Sequence, residues 1–421
     1  MLRWILGGRE SQSAVEKNTV LFIGEEQPKN SYTELQVLKG HFDIVRFLVQ
    51  IDDFRFASAG DDGLVLVWNV QTGERLQELR GHSQQVTAMT AYSWSSGSAT
   101  HTALITASSD RTLSLWDPET GNRVQTVSDL QSSAKCLLVL DRLDLWISGG
   151  NELCVWNRDF HLLCKTDHHS DAGITAMVEL PKNCVAAAVD KDIVIYRLCV
   201  TSSKMDTSIA EIRRLTDHHD SIRALITVSD QMFASGSHTE IKLGSQKQSE
   251  MSVQHLASDG ECIVAAVGSG LYLYNVSSRS VVAYRKAAHD SSVLHTMLLP
   301  DGQLMSCSAD GSVRMWELQD LPLPAEPASA GFFGMWTFGR ASKHASQQAK
   351  KVPEVPGLRT LELTGDLIGH SGAVQMFVNF GDAGLVTCSA DHLVIVWKNG
   401  ERESRARSLA LFHKLEQNQG L

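Results

Sequence analysis

The stretch SCSADGSVRMW (306–316) reads as the end of one β-strand, a polar turn and a second strand that closes on tryptophan. It recurs without a gap as SAGDDGLVLVW (58–68), TASSDRTLSLW (106–116) and TCSADHLVIVW (387–397). The alternation in LVLVW and LSLW has the two-residue period of a strand, and Asp, Gly, Arg and His supply the turns. Upstream of each copy lies a histidine turn: Gly40-His41, Gly81-His82, His289-Asp290 and Gly369-His370. The interval is 27 residues from His41 to Trp68, from His289 to Trp316 and from His370 to Trp397. It is 34 from His82 to Trp116, and the extra residues fit SWSSGSATH (93–101) as a long hairpin loop.

Weaker copies fill the spaces. SGGNELCVW (148–156) ends on Trp156, 40 residues past Trp116, and AAAVDKDIVIY (186–196) ends on Tyr196, 40 further on. VAAVGSGLYLY (264–274) ends on Tyr274, and residues 217–243 carry the histidine turn and two strands without a closing aromatic. That makes eight units. A period near 40, four short strands per unit, a Gly-His start and a terminal Trp resemble the WD-repeat β-propeller family over roughly 33–397. The resemblance implies an all-β propeller of about eight blades.

Composition agrees with a globular chain: 421 residues, 43% apolar and 20% charged. With 38 basic and 48 acidic residues the net charge is −10, which argues against a general nucleic-acid binder. Cys136, Cys154, Cys164, Cys184, Cys199, Cys262, Cys307 and Cys388 form no Cys-x-x-Cys pair, so neither a zinc site nor a disulfide framework is expected. The opening MLRWILGGRE has only three apolar residues after Arg3, too few for a signal peptide, and Leu2 excludes N-myristoylation. No run approaches 18 apolar residues, so a cytoplasmic protein recruited to membranes by others is expected.

Each strong copy supplies a His, a Ser or Thr, an Asp and a Trp: His41/Ser58/Asp62/Trp68, His82/Thr106/Asp110/Trp116, His289/Ser306/Asp310/Trp316 and His370/Thr387/Asp391/Trp397. A catalytic triad occurs once per active site, whereas this set recurs with the blade. In the WD-repeat family Asp bonds His, His meets the hydroxyl, and the hydroxyl meets the indole N–H, which makes these residues scaffold. No catalytic residue, metal or cofactor is expected. Cys307 and Cys388 share a repeat position and read as core thiols. His168-His169 and His218-His219 fall in blade-start turns rather than forming metal sites.

Ring closure is expected from TELQVL (33–38), the outer strand for the blade ending at Trp397; NTVLFIG (18–24) is a further strand candidate. Blade five is short. After Leu243 only GSQKQSE precedes MSVQHL (251–256), the next inner strand, leaving no room for both a full third strand with Trp and an outer strand. Either the blade is truncated or the chain lacks a segment.

The organisation is therefore an N-terminal extension (1–32), a propeller (33–400) and a C-terminal tail (401–421). Three segments depart from the repeat. The first is the apolar cluster Trp4, Ile5 and Leu6. The second follows the polar turn KNGERES: a helix over 405–417 whose Leu409, Phe412 and Leu415 share one face, to pack on the ring or to bind a partner. The third is an insert in the penultimate blade (317–366). It carries Phe332, Phe333, Met335, Trp336 and Phe338 between disorder-like flanks, and LRTLELTGDL (358–367) then resumes as outer strand. This aromatic knot suits docking to a partner, folding back on the ring, or a lipid interface, given Arg340, Lys343, Lys350 and Lys351 nearby.

RFASAGDDG (55–63), LCVWNR (153–158), GFFGMWTFGR (331–340) and CSADHLVIVWKNGERES (388–404) resemble one branch of the WD-repeat family almost end to end. That resemblance implies a non-catalytic subunit of a complex with two DENN-domain proteins, which act on small GTPases as a GTPase-activating unit. It also implies recruitment to lysosomes through a cationic amino-acid transporter of the PQ-loop type, tied to nutrient state and autophagy. On it, 331–340 docks the transporter, while about 1–10 and 405–417 carry the DENN contact. A rival is the substrate receptor of a cullin-type ubiquitin ligase. That group often carries Trp-Asp-x-Arg, and the blade ends Trp68-Asn69, Trp116-Asp117-Pro118-Glu119, Trp156-Asn157 and Trp316-Glu317 do not match it. A propeller enzyme would need a lone acidic or metal cluster at the channel, and the sequence offers none.

Overall fold

The computed structural model describes residues 30, 32–96, 99–166, 173–201, 206–237, 240–243, 246–250, 253–320 and 359–418. Short alternating strands joined by tight turns pair with their sequence neighbours, and four in succession make a blade. Among the described residues these make eight blades, with inner strands Val45–Gln50, Val86–Ser96, Cys136–Leu140, Ile174–Leu180, Ile222–Ser229, Val253–Ser258, Val293–Leu298 and Val374–Asn379. Each inner strand touches the next, and the last touches the first, so the ring is closed. The core lies between blades: Leu48, Phe56 and Leu66 of blade one pack with Val386, Cys388 and Val394 of blade eight.

Closure follows the expected route. Tyr32–Leu38 pairs antiparallel with Val394–Asn399, so the start of the described chain is the outer strand of blade eight. The strand candidate 18–24 lies outside the described residues.

Three local expectations are corrected. SWSSGSATH is not a loop: the first hairpin of blade two runs as Val86–Ser96 and Ala99–Ser108, paired out to Ser96 and Ala99. The end of this stretch reads SSGSAT (95–100), small and polar, so no apolar alternation marks it. Blade five does have four strands, because the polar run after Leu243 supplies the outer one, Gln246–Glu250, beside a four-residue third strand, Glu240–Leu243. The helix α1 starts at Gly400, inside the segment expected to be a polar turn, and runs Gly400–Asn418. Asn399 caps it by accepting from the Arg402 amide at 3.1 Å, and Glu401 and Glu403 sit in the first turn, where acidic groups favour the helix dipole.

Antiparallel succession has a consequence for function. The inner-to-second and third-to-outer turns of every blade open on one face of the ring, and the other turns open on the opposite face.

Candidate functional site

The recurring His-hydroxyl-Asp-Trp sets are internal bonds of the blades. In blade one the His41 Nδ1 lies 2.8 Å from Asp62 Oδ2, its Nε2 lies 2.8 Å from Ser58 Oγ, and the Trp68 indole donates to Ser58 at 2.8 Å. Blade seven repeats this with His289 to Asp310 at 3.0 Å, His289 to Ser306 at 2.8 Å and Trp316 to Ser306 at 2.8 Å. Blade eight does so with His370, Asp391, Thr387 and Trp397 at 2.8–2.9 Å. Blade two differs. His82 meets Thr106 at 2.7 Å, but its Nδ1 meets Thr112 Oγ1 at 2.9 Å, and Thr112 in turn donates to Asp110 at 2.6 Å. The hydroxyls of Ser58, Thr106, Ser306 and Thr387 are fully buried, so no substrate reaches them.

Two half-sets escaped the sequence reading. Blade three keeps the indole half, Trp156 to Ser148 at 2.9 Å, and blade five keeps the imidazole half, His218 to Ser235 at 2.8 Å. The signal was present as a serine at the repeat position in each. His168 and His169 lie outside the described residues. Cys307 and Cys388 are fully buried, and burial pushes the Cys388 thiol up to about 12. Among the described residues, no group of three or more His, Cys, Asp or Glu side chains is placed to hold a metal ion. Nor is any described helix long and apolar enough to cross a membrane.

These networks set a pH dependence. Burial lowers the pKa of His82, His289 and His370, against the opposing pull of their aspartates. Burial would raise the Asp310 carboxyl, but bonds from the Ser312 hydroxyl, the Ser312 amide and the Asp290 amide outweigh it and bring it down to about 2. A histidine depressed in the folded state binds fewer protons than in the unfolded chain. Its stabilisation is therefore full above the unfolded value, about 6.5, and is lost as pH falls below it. The aspartates act in the same sense at lower pH. The melting temperature should fall when pH is lowered from about 7.5 to about 5.5. A melting temperature that rises over that interval would contradict neutral, buried imidazoles.

The departures from the repeat gather elsewhere. The third strand of blade seven is long, Ser312–Asp320, and pairs with Arg359–Ile368 out to Asp320 and Arg359. The insert, 321–358, therefore leaves and returns at one point on the rim. That point is fastened to blade six: its outer strand Ser280–Arg285 pairs in parallel with Arg359 and Thr360, merging two blades into one sheet. Arg285 donates to the Leu361 carbonyl at 3.1 Å and lies 5.5 Å over the Trp316 ring. Phe332, Phe333, Met335, Trp336 and Phe338 lie outside the described residues.

Helix α1 and the start of the described chain meet at blade eight. The Gly400 amide donates to Thr33 Oγ1 at 3.1 Å, and Arg407 binds both carboxylate oxygens of Glu34 at 3.0 and 2.5 Å. That pairing lowers the Glu34 pKa. Arg402 pairs with Asp382. The tether is polar, and Leu409 and Leu411 are left 61% and 62% exposed; Leu35 and Val37, on the strand that carries Glu34, are exposed as well. Leu409 thus does not pack on the ring. Phe412 and Leu415 lie on α1, with side chains outside the described residues, as are Trp4, Ile5 and Leu6. The insert, α1 and the N-terminal extension all depart from the face on which the third-to-outer turns open, away from the His and Asp turns.

Known proteins resemble this chain closely. The family model for the WDR41 β-propeller matches residues 1–243 and 237–407. WD repeat-containing protein 41 of Homo sapiens is 54% identical, over 99% of this chain and 98% of its own length. That alignment spans 453 positions against 421 residues here, so at least 32 positions of the human protein have no counterpart. The two family-model blocks overlap at 237–243, within blade five, where the third strand is only four residues long. Among solved structures, the computationally designed Ika8 protein has a TM-score of 0.64 at 19% identity, covering 86% of this chain and 98% of that one. The WD40 β-propeller domain of Doa1 has a TM-score of 0.51 at 18% identity, covering 87% and 96%.

Proposed function

The chain belongs to the WDR41 β-propeller family, and from that premise we propose that it is the non-catalytic adaptor of a complex with two DENN-domain proteins. Its ring is a WD-repeat scaffold whose polar sets are spent on holding blades together. The DENN pair supplies the action on small GTPases. The adaptor brings that pair to the lysosome through a PQ-loop cationic amino-acid transporter, in response to nutrient state, with consequences for autophagy.

The observation that carries this reading is the placing of the departures on one face. A fastened root for the insert at blades six and seven, and an exposed apolar set (Leu35, Val37, Leu409, Leu411) at blade eight, suit two partners held side by side. The insert is assigned to the transporter, through Phe332, Phe333, Met335, Trp336 and Phe338. The chain ends are assigned to the DENN proteins, through Trp4, Ile5, Leu6, Leu409, Phe412 and Leu415.

Removal of 401–421 should abolish co-purification of the DENN pair from cells while leaving the melting temperature of the ring within a degree or so, because an exposed polar tether contributes little to stability. Retention of both DENN proteins by the truncated chain would refute the assignment.

A further inference from the structure

Blades two and three enclose a groove on the same face, across the ring from the insert and separated by blade one from the blade that carries α1. The overlong hairpin of blade two brings Trp94 to this groove, and the buried Tyr92 ties the hairpin to blade three by donating to Asp144. Trp94 stacks on His101, its partner across the hairpin, at 5.7 Å and 22°. The cavity so formed holds about 440 Å³. Trp94, Leu115 and Val124 supply its apolar wall, and Val124 is 61% exposed.

Its rim is acidic: Asp117, Glu119 and Asp159. Asp117 is engaged by the Glu119 amide and the Thr120 hydroxyl of its own turn. Glu119, 73% exposed, faces Arg55 at 3.5 Å, and Asp159 is exposed and makes no ion pair among the described residues. The one guanidinium inside, Arg158, lies 4.7 Å over the Trp94 ring, so the wall already holds a planar cation against an indole. Beside it runs the outer strand Arg123–Val127, an open sheet edge with main-chain groups for an extended segment.

We propose that this groove docks an arginine-bearing extended segment of a partner protein. The arginine stem lies on Leu115 and Val124, and its guanidinium reaches Glu119 and Asp159. A planar fork matches carboxylates in a way a lysine ammonium does not, so arginine is favoured. An acidic segment would meet three carboxylates against two guanidinium groups, Arg158 and the Arg55 that faces Glu119.

The test uses the full chain and a fluorescently labelled peptide Gly-Arg-Val-Arg-Gly, with versions carrying citrulline or glutamate in place of both arginines. Fluorescence anisotropy should show the arginine peptide binding, and both substituted peptides failing to bind at the same concentration. The pair Glu119→Gln and Asp159→Asn, both surface isosteres, should weaken binding at least about fivefold, since charge-assisted hydrogen bonds are roughly twice as strong as neutral ones. Glu401→Gln with Glu403→Gln, on α1, should leave binding unchanged and so reports general attraction to an acidic protein. Equal loss in the α1 variant, tighter binding of the glutamate peptide, or no binding of the arginine peptide would overturn the proposal.

Discussion

Phe333→Ala with Trp336→Ala abolishes transporter-dependent recruitment to lysosomes and leaves the DENN assembly intact. This is the outcome expected if the insert is the docking element. Few interface residues carry most of a binding energy, and large aromatic anchors dominate among them, at 2 kcal/mol or more each by about the usual measure. Losing such an anchor costs about 2 kcal/mol or more, at least roughly thirtyfold in affinity. The ring should not notice. Its own joint at this place consists of Arg285, Leu361, Trp316 and the parallel pairing of Ala283 and Tyr284 with Arg359 and Thr360, none of which is altered. Lysosomal imaging of the variant, with the DENN proteins co-purified from the same cells, measures both halves. Normal recruitment of the double variant would remove the insert from the account.

The second large effect is on stability. Ser306→Ala takes away the hydroxyl that bonds both His289 and Trp316, each at 2.8 Å. His289 and Trp316 are 3% and 1% exposed, so water does not replace the lost partner. Each orphaned group costs about 1–3 kcal/mol, which sums to about 2–6 kcal/mol. Ser306→Thr restores the hydroxyl and should be close to neutral, because Thr106 and Thr387 fill the same repeat position in blades two and eight with the same two bonds. Denaturant unfolding of the three proteins decides the matter. Equal midpoints for Ser306→Ala and the parent would show that the set is ornamental.

The repeat was legible because one steric solution is copied. A strand that must end on a buried indole, next to a turn that must carry an aspartate, leaves a fixed interval, and His41, His289 and His370 keep it. Legibility failed wherever that constraint lapses. Ser148 and Ser235 each keep half a network, so the missing partner hid them. The polar run in blade five forms a strand by pairing alone, with no apolar face to announce it. KNGERES is helical from Gly400 because Asn399 caps it and acidic residues open it, a signal that a preceding strand masked. The groove between blades two and three had no sequence trace, since Trp94 and Arg158 meet only when two blades are set side by side.

The two family-model blocks overlap within blade five. Its outer strand, Gln246–Glu250, brings no large apolar residue to the sheet. The surfaces assigned to partners stand on blades six, seven and eight.

The claim that an inert ring grips two partners through two distinct departures is tested most directly by scoring both variants for both partners. The insert double variant and the chain truncated at residue 400 are each expressed in cells, and transporter and DENN proteins are quantified in each capture. The account predicts a crossed result: the first variant keeps the DENN pair and loses the transporter, and the second keeps the transporter and loses the DENN pair. Loss of both partners from either variant would contradict it.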